Sequence, residues 1–410
     1  MKSLIGRIVL AAALGWAAPA LAQTPAQTPQ TPPPAAATAA ADIKTELGEI
    51  AGATFRIDMP AKWNKGLVVM NHGYSPEPRN PQAGPASARI KLFTDRGFAV
   101  AQSSYSKGGW AIEQAMTDND NLIKYFRKKY GATNSIIATG GAMGASVTTA
   151  SVEMHPEIYD AGLVTCCSGL ESRLENMNWN FEMLALFEYY FPGFQTPIVG
   201  PLNGYEYSIG NTSPTAKKIQ AALDANPEKA EIFRRAWGRK KEHVAGTVAF
   251  HTYLVHEAQE RSGGNPFSNE TTIYNVDDDI AKVNEGVKRY AAEPGKNAYL
   301  KKWYTATGNL KKPLFIMSPV YDEIVPADTT EAYVSIARRA GHADKVVFQI
   351  FDHYGHGSVT TPEVAASFDA LLAWMKGGPQ PPSGRGVTIN EPRAARPPGA
   401  PAAQPSGTGQ

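Results

Sequence analysis

Asp322, His356 and a glycine-flanked turn centred on Ala142 are the residues of this sequence whose types and spacing could do chemistry. Asp322 follows an apolar run at 313–317, and His356 follows another at 345–350. An acid and a histidine delivered by neighbouring strand ends can hydrogen-bond, and the acid then holds the imidazole in the tautomer a general base requires. The turn reads Gly140, Gly141, Ala142, Met143, Gly144, between a β-rich run at 135–139 and a helix-compatible run. Glycines two before and two after the apex let a strained strand-to-helix turn pack closely while the apex side chain projects outward. A serine at such an apex would be a nucleophile; the alanine has no oxygen to attack with. His72, Gly73 and Tyr74 end a further apolar run, where the backbone N–H of Tyr74 could join that of Met143 to hold a negatively charged oxygen.

Strands must position these groups. The runs at 66–71, 98–102, 135–139, 161–165, 313–317 and 345–350 are short, apolar and β-rich, the pattern of strands buried on both faces. Enough chain separates them for crossover helices, so the expected fold class is α/β, with a mostly parallel central sheet and flanking helices. The last helix is expected to start with Thr361 as its cap and Pro362 in its first turn. It shows Val364, Phe368, Leu371, Leu372 and Met375 on one face and ends at Gly377.

From 169 to 312 the alternation lapses, and helical stretches such as 213–226 and 229–260 point to a helical insertion. Its opening is dense in aromatics: Trp179, Phe181, Phe187, Tyr189, Tyr190, Phe191 and Phe194. These either pack the insertion onto the main domain or line an apolar substrate pocket beneath a lid, and both can hold for different residues; Trp179 is taken as substrate-facing. Tyr105 and Trp110 follow the run at 98–102 and are expected on the rim in contact with substrate, unless they only anchor their loop.

The 410 residues, 43% hydrophobic and 19% charged, can bury a large core. Forty basic residues against 38 acidic ones leave a net charge of +2, no field that would hold nucleic acid or an anionic membrane. The two cysteines, Cys166 and Cys167, are adjacent, which excludes a disulfide framework; two buried thiols are favoured over a strained vicinal disulfide. Residues 1–22 combine Lys2 and Arg7, an apolar stretch at 8–20 and the small-residue ending Ala20, Leu21, Ala22. That is the pattern of a signal peptide, so the chain is expected to be exported, periplasmic or secreted, with no stable membrane anchor. A disordered Pro/Ala/Thr/Gln linker is expected at 23–41 and a disordered tail at 377–410.

Other candidates read as structural. His243, His251 and His256 are spaced eight and five apart and lack the one-turn separation of zinc-binding helices, so surface or packing roles are expected. Asp277, Asp278 and Asp279 read as a solvated turn or a helix start, and the basic residues of 229–241 as a solvated helical face.

On these residues the sequence resembles the α/β-hydrolase superfamily, in its branch of capped esterases and serine peptidases. The turn, the acid, the histidine and the loop at Tyr74 occur in that fold's chain order, each behind an expected strand. The resemblance spans nearly all of 42–376 except the insertion. It implies a core made of 42–168 and 313–376 with a helical cap at 169–312. Position 142 would correspond to the nucleophile, Asp322 to the acid, His356 to the base, and Tyr74 and Met143 to the oxyanion donors. The implied activity is hydrolysis of a carboxylic ester, less so an amide, in a small-molecule or polymer-derived substrate, with no metal or organic cofactor. Ala142 departs from the pattern, so severely impaired acyl transfer is expected.

Three readings stand: an inactivated copy of a serine hydrolase, a relative that binds without cleaving, or an acid–base enzyme (a lyase or water-activating hydrolase) in which His356 and Asp322 form no covalent intermediate. Ser146, one turn into the following helix, reads as a packing residue. Cys167 and Ser168 end the run at 161–165 and could approach His356.

Overall fold

The computed structural model describes residues 43–194, 197–202 and 204–385. The expected leader at 1–22, the linker at 23–41 and residues 386–410 of the expected tail lie outside the described residues. Nine described strands form one sheet: β1 (Ile43–Ile50), β2 (Ala53–Pro60), β3 (Gly66–Asn71), β4 (Ala99–Ser103), β5 (Ser135–Gly141), β6 (Ala161–Thr165), β7 (Leu314–Tyr321), β8 (Val346–Tyr354) and β9 (Gly384–Arg385). Their order is β1-β2-β4-β3-β5-β6-β7-β8-β9. The β1–β2 and β2–β4 pairs are antiparallel, and every pair from β4 to β9 is parallel.

The described helices before the long insertion are α1 (Ala88–Thr94), α2 (Ile112–Tyr130) and α3 (Met143–Met154). Between β6 and β7 come α4 (Leu174–Tyr190), α5 (Pro214–Ala225), α6 (Pro227–Trp237), α7 (Val244–Ser262), α8 (Ile280–Gly286) and α9 (Ala298–Lys302). The chain closes with α10 (Ala327–Arg339) and α11 (Thr361–Met375).

Alternation along each strand sorts side chains onto two covered faces. Val68, Val100, Ile137, Leu163, Phe315 and Val347 meet α1 and α11 on one face, while Leu67, Val69, Ile136, Val164 and Ile316 belong to the core on the other. Both faces are dry, which explains why the inner strands are apolar throughout rather than alternating. Phe368 of α11 lies edge-on to Phe93 and Phe98, with ring centroids 4.9 and 5.3 Å away.

Several boundaries differ from the sequence-based expectation. Thr360, not Thr361, caps α11. Its extended backbone lets its hydroxyl accept the Glu363 N–H, while Glu363 Oε2 accepts the Thr360 N–H at 2.8 Å, a reciprocal capping box. The stretch 229–260 is two helices, because the chain takes a left-handed turn at Gly238 (φ 67°). The folded body also continues past Lys376. Gln380 Nε2 donates to Val346 O at 2.9 Å, Gln349 Nε2 donates to Pro382 O at 2.9 Å, and Gly384–Arg385 pair with β8. Backbone groups on an open sheet edge bind whatever extended chain passes them, and composition alone does not reveal that.

Phe368→Ala should empty the junction of α11 with the sheet and lower unfolding stability by about 3–5 kcal/mol. Denaturant unfolding followed by circular dichroism checks this. A loss below about 1 kcal/mol would mean that α11 does not pin this face.

Candidate active site

β5 runs through Gly141 and α3 starts at Met143, so Ala142 alone makes the change of direction, at φ 51° and ψ −133°. An L-residue at positive φ is strained and persists only where its surroundings over-determine the turn. Here they do. A Cβ on Gly144 would lie 2.4 Å from Asn71 O, and one on Gly140 would lie 2.4 Å from Gly144 O, so both flanks require glycine. The Ala142 N–H donates to Cys166 Sγ at 3.1 Å, and the Cys167 thiol donates to Ala142 O at 3.3 Å. The loop after β3 presses on the apex from the other side: a Cβ on Gly73 would stand 3.3 Å from the Ala142 methyl.

Asp322 leaves the end of β7 and His356 the end of β8, its neighbour in the sheet. His356 Nδ1 lies 2.8 Å from Asp322 Oδ2. The other carboxylate oxygen, Oδ1, accepts the N–H groups of Ile324 at 2.9 Å and Val325 at 2.8 Å, and Glu323 Oε2 accepts the His356 N–H at 3.0 Å. A buried acid held this way accepts the Nδ1 proton and leaves Nε2 as the ring nitrogen that exchanges a proton with anything bound.

Cys166 joins this pair. It sits just past β6 at φ 66°, and its Sγ, a His356 ring nitrogen and an Asp322 oxygen lie within 4.8 Å of one another. Burial alone would lower the His356 pKa; the negative charges of Cys166 and Asp322, with the hydrogen bond to Asp322, outweigh it and raise the pKa. The contact with the Cys167 sulfur lowers the Cys166 thiol pKa against its burial, helped by His356 and the Ala142 N–H. The two cysteines are unbonded thiols with their sulfurs 3.9 Å apart. From the sequence, Cys167 and Ser168 could have approached His356. Instead, the left-handed turn at residue 166 puts the Cys166 sulfur beside the histidine and Cys167 against the Ala142 carbonyl. Asp322 spends its oxygens on the His356 ring and on backbone N–H groups, and Cys166 Sγ accepts the Ala142 N–H, which leaves His356 Nε2 as the nitrogen turned to a bound molecule.

A cavity of about 230 Å³ opens over these groups. Gly73, Tyr74, Ala142, Met143 and His356 form its floor, and Met177, Asn180, Phe250, His251 and Leu254 from the helical insertion form much of the rest. Met143 is the first residue of α3, where a backbone N–H has no partner within its own helix. Trp110 also lines the wall. Its backbone N–H donates to Glu257 Oε1 at 3.1 Å, and Glu257 in turn pairs with Arg261, so α7 holds the loop in place.

Tyr105, expected on the rim, is 1% exposed and away from the cavity wall. It stacks on His72 at 3.9 Å, and its hydroxyl donates to His72 O, which keeps the ring inward. Trp179 lies beside an adjoining cavity rather than this one. Phe181, Phe187 and Phe191 are core, packed on Phe267 and Phe233 and on each other. His251 is a lining residue that sequence reasoning treated as surface or packing. Burial, with Arg239 nearby, lowers its pKa to about 3, and Nδ1 donates to Thr247 O at 2.8 Å, so it is a neutral wall. His243 and His256 are committed to Tyr321 Oη and Gly200 O, at 2.9 Å each.

No family model matches this sequence, and a search of curated proteins finds no match. Among solved structures the chain is similar to the acylaminoacyl peptidase of Pyrococcus horikoshii, at 11% identity and a TM-score of 0.44 over 83% of this chain and 42% of that one. It is similar to an esterase of Pyrococcus furiosus at 14% identity and a TM-score of 0.42, over 82% of this chain and 91% of that one. A puromycin-hydrolyzing peptidase of Mycobacterium tuberculosis shows 14% identity and a TM-score of 0.41, over 84% of this chain and 41% of that one. The chain spans less than half the length of the two peptidases.

The sheet supports the assignment of fold by itself. Parallel strands β3, β5, β6, β7 and β8 deliver a tight turn, then an acid, then a histidine to one edge, and the acid and histidine meet beside the apex of the turn. This chain has the α/β-hydrolase fold.

Proposed function

We propose that the site is built to hydrolyse a carboxylic ester, less readily an amide, with position 142 as the seat of the nucleophile. The observation that carries this is the Ala142 methyl, held at a strained elbow apex in the same apolar cavity as His356, whose Nδ1 is locked by Asp322. An oxygen at that apex would bond to the substrate carbonyl carbon while His356 Nε2 takes its proton. The carbonyl oxygen, now negative, would be held by the N–H groups of Tyr74 and Met143. His356 would return the proton to the departing alcohol, and water would release the acid by the same path in reverse. Alanine leaves the whole frame in place and removes the attacking atom.

The intact Asp322–His356 hydrogen bond favours one second reading, acid–base chemistry without a covalent intermediate, since a protein that only binds has no use for an imidazole fixed by a buried acid.

Ala142→Ser should raise hydrolysis of p-nitrophenyl esters by roughly 10³-fold or more over the unchanged chain and should admit covalent labelling by a fluorophosphonate, both lost in the further His356→Ala variant. Absence of both gains in a folded Ala142→Ser protein would sink the proposal. Turnover by the unchanged chain that vanishes with His356→Ala would favour the second reading.

The protonation of His356 gives a separate check. A thiolate at Cys166 places a negative charge beside the His356 ring and favours imidazolium. Removing that negative neighbour destabilises the charged ring, so Cys166→Ala should lower the His356 pKa towards the ordinary histidine value. In the Ala142→Ser background, the rise of activity with pH should move to lower pH, because the neutral base then forms earlier. Titration of isotope-labelled His356 by NMR reads the first effect, and an unchanged midpoint would show that the sulfur does not act on the ring.

A further inference from the structure

A second cavity, of about 350 Å³, adjoins the first, and the two share Asn180, Ile324 and Val325 in their walls. Arg239, Trp179 and Trp237 line it. Arg239 is 4% exposed, with its guanidinium carbon 5.6 Å from the Trp179 ring centre and 5.5 Å from that of Trp237. Nη1 donates to Trp237 O at 3.2 Å. Nε and Nη2 are buried without a hydrogen-bond partner among the described residues, and so is Trp237 Nε1.

Nε and Nη2 form one edge of the guanidinium, the edge that receives a carboxylate through two parallel hydrogen bonds. This protein fills that edge elsewhere. Arg56 presents Nε and Nη2 to the two oxygens of Asp58, both at 2.7 Å, and Arg96 does the same to Asp369, both at 2.6 Å. Arg234, a few residues before Arg239, gives the same edge to Glu231 at 2.6 and 2.7 Å. Arg239 is more buried than Arg96 or Arg234, yet its edge has no acid. Burial draws its pKa down against the longer-range pull of Tyr321, Asp322, Asp328 and Glu323. Asp328 lies in the same wall but is exposed, and its Oδ1 accepts the Thr329 N–H at 2.7 Å. A buried cation with an empty fork and a third idle donor beside it is costly unless something bound supplies the acceptors.

We propose that the Nε–Nη2 edge of Arg239 binds a free carboxylate of the substrate, so that the site takes an ester carrying a second, ionised carboxyl group, such as a monoester of a dicarboxylic acid. This rests on the ester reading for the place of the reacting carbonyl, which lies over Ala142 while the carboxylate reaches the neighbouring cavity that Arg239 lines. The apolar walls of the first cavity then receive the uncharged part of the molecule.

The unchanged chain, which lacks the attacking oxygen, suits a binding experiment. Isothermal titration calorimetry would compare the monobenzyl esters of succinic, adipic and suberic acids, each against its neutral benzyl methyl diester. At least one monoester should bind on the order of tenfold more tightly than its diester, the scale of a charged hydrogen-bonded pair. Arg239→Gln should abolish that preference, and Arg239→Lys, which keeps the charge without the fork, should keep only part of it.

No preference for any monoester overturns the proposal, as does a preference that survives in a folded Arg239→Gln protein. If Arg239→Gln does not fold, Arg239→Lys decides, and an undiminished preference there also overturns it. The same ester pairs given to Ala142→Ser separate the two readings. Arg239-dependent binding without turnover would leave the carboxylate site standing and remove the hydrolase, whereas turnover of both members at equal KM would do the reverse.

Discussion

The site depends first on backbone pressed against backbone around Ala142. The carbonyl of Asn71 stands where Gly144 has no room for a side chain, and the carbonyl of Gly144 does the same to Gly140. β3, β5 and α3 are therefore locked to one another at the sheet edge, and the apex between them has no relaxed conformation to fall back into. Hydrogen bonds from Ala142 N–H to the Cys166 sulfur and from the Cys167 thiol to Ala142 O tie the same turn to the end of β6. From this one junction follow the outward methyl, the start of α3 at the cavity wall with Tyr74, and the approach of a thiol to the histidine.

Two buried polar groups in this region show opposite degrees of completion. Asp322 is fully enclosed and its oxygens serve Nδ1 of His356 and two backbone N–H groups, so the acid is rigid and the ring it holds has one orientation. Arg239, enclosed to a similar degree, uses one nitrogen on a backbone carbonyl and leaves its carboxylate-binding edge unfilled. In a medium of low dielectric the first arrangement is self-contained and the second calls for a ligand. On the proposed reading, the first is the part of the site that does chemistry and the second the part that selects what enters it.

The helical segment between β6 and β7 shapes that entrance through ordinary packing. Phe181, Phe187 and Phe191 build an apolar interior for the helices, while Met177 and Asn180 on the same helix turn towards the cavity. α7 contributes from several sides at once: Phe250 and His251 to the wall, and Glu257 with Arg261 to the loop that carries Trp110. A buried ion pair used in this way stabilises little by itself but makes the loop position specific, because removing either partner would strand the other charge.

Much of this was legible along the chain, since it depends on near neighbours. Apolar runs of strand length, glycines two residues either side of Ala142, and the order of turn, acid and histidine specify the sheet and the edge at which they gather. What the sequence left open was decided by residues meeting from far apart. Cys166 rather than Cys167 reaches His356 because of one left-handed turn; Tyr105 is buried because His72 lies over it; residues 380–385 are drawn onto β8 because that edge was open. Arg239 sits in a run of basic residues that reads as a wet surface, yet it is enclosed by two tryptophans. Periodicity and turn chemistry act over a few residues and can be read locally. Burial, pairing and the lack of a partner are properties of contacts between distant segments, and only the folded chain creates them.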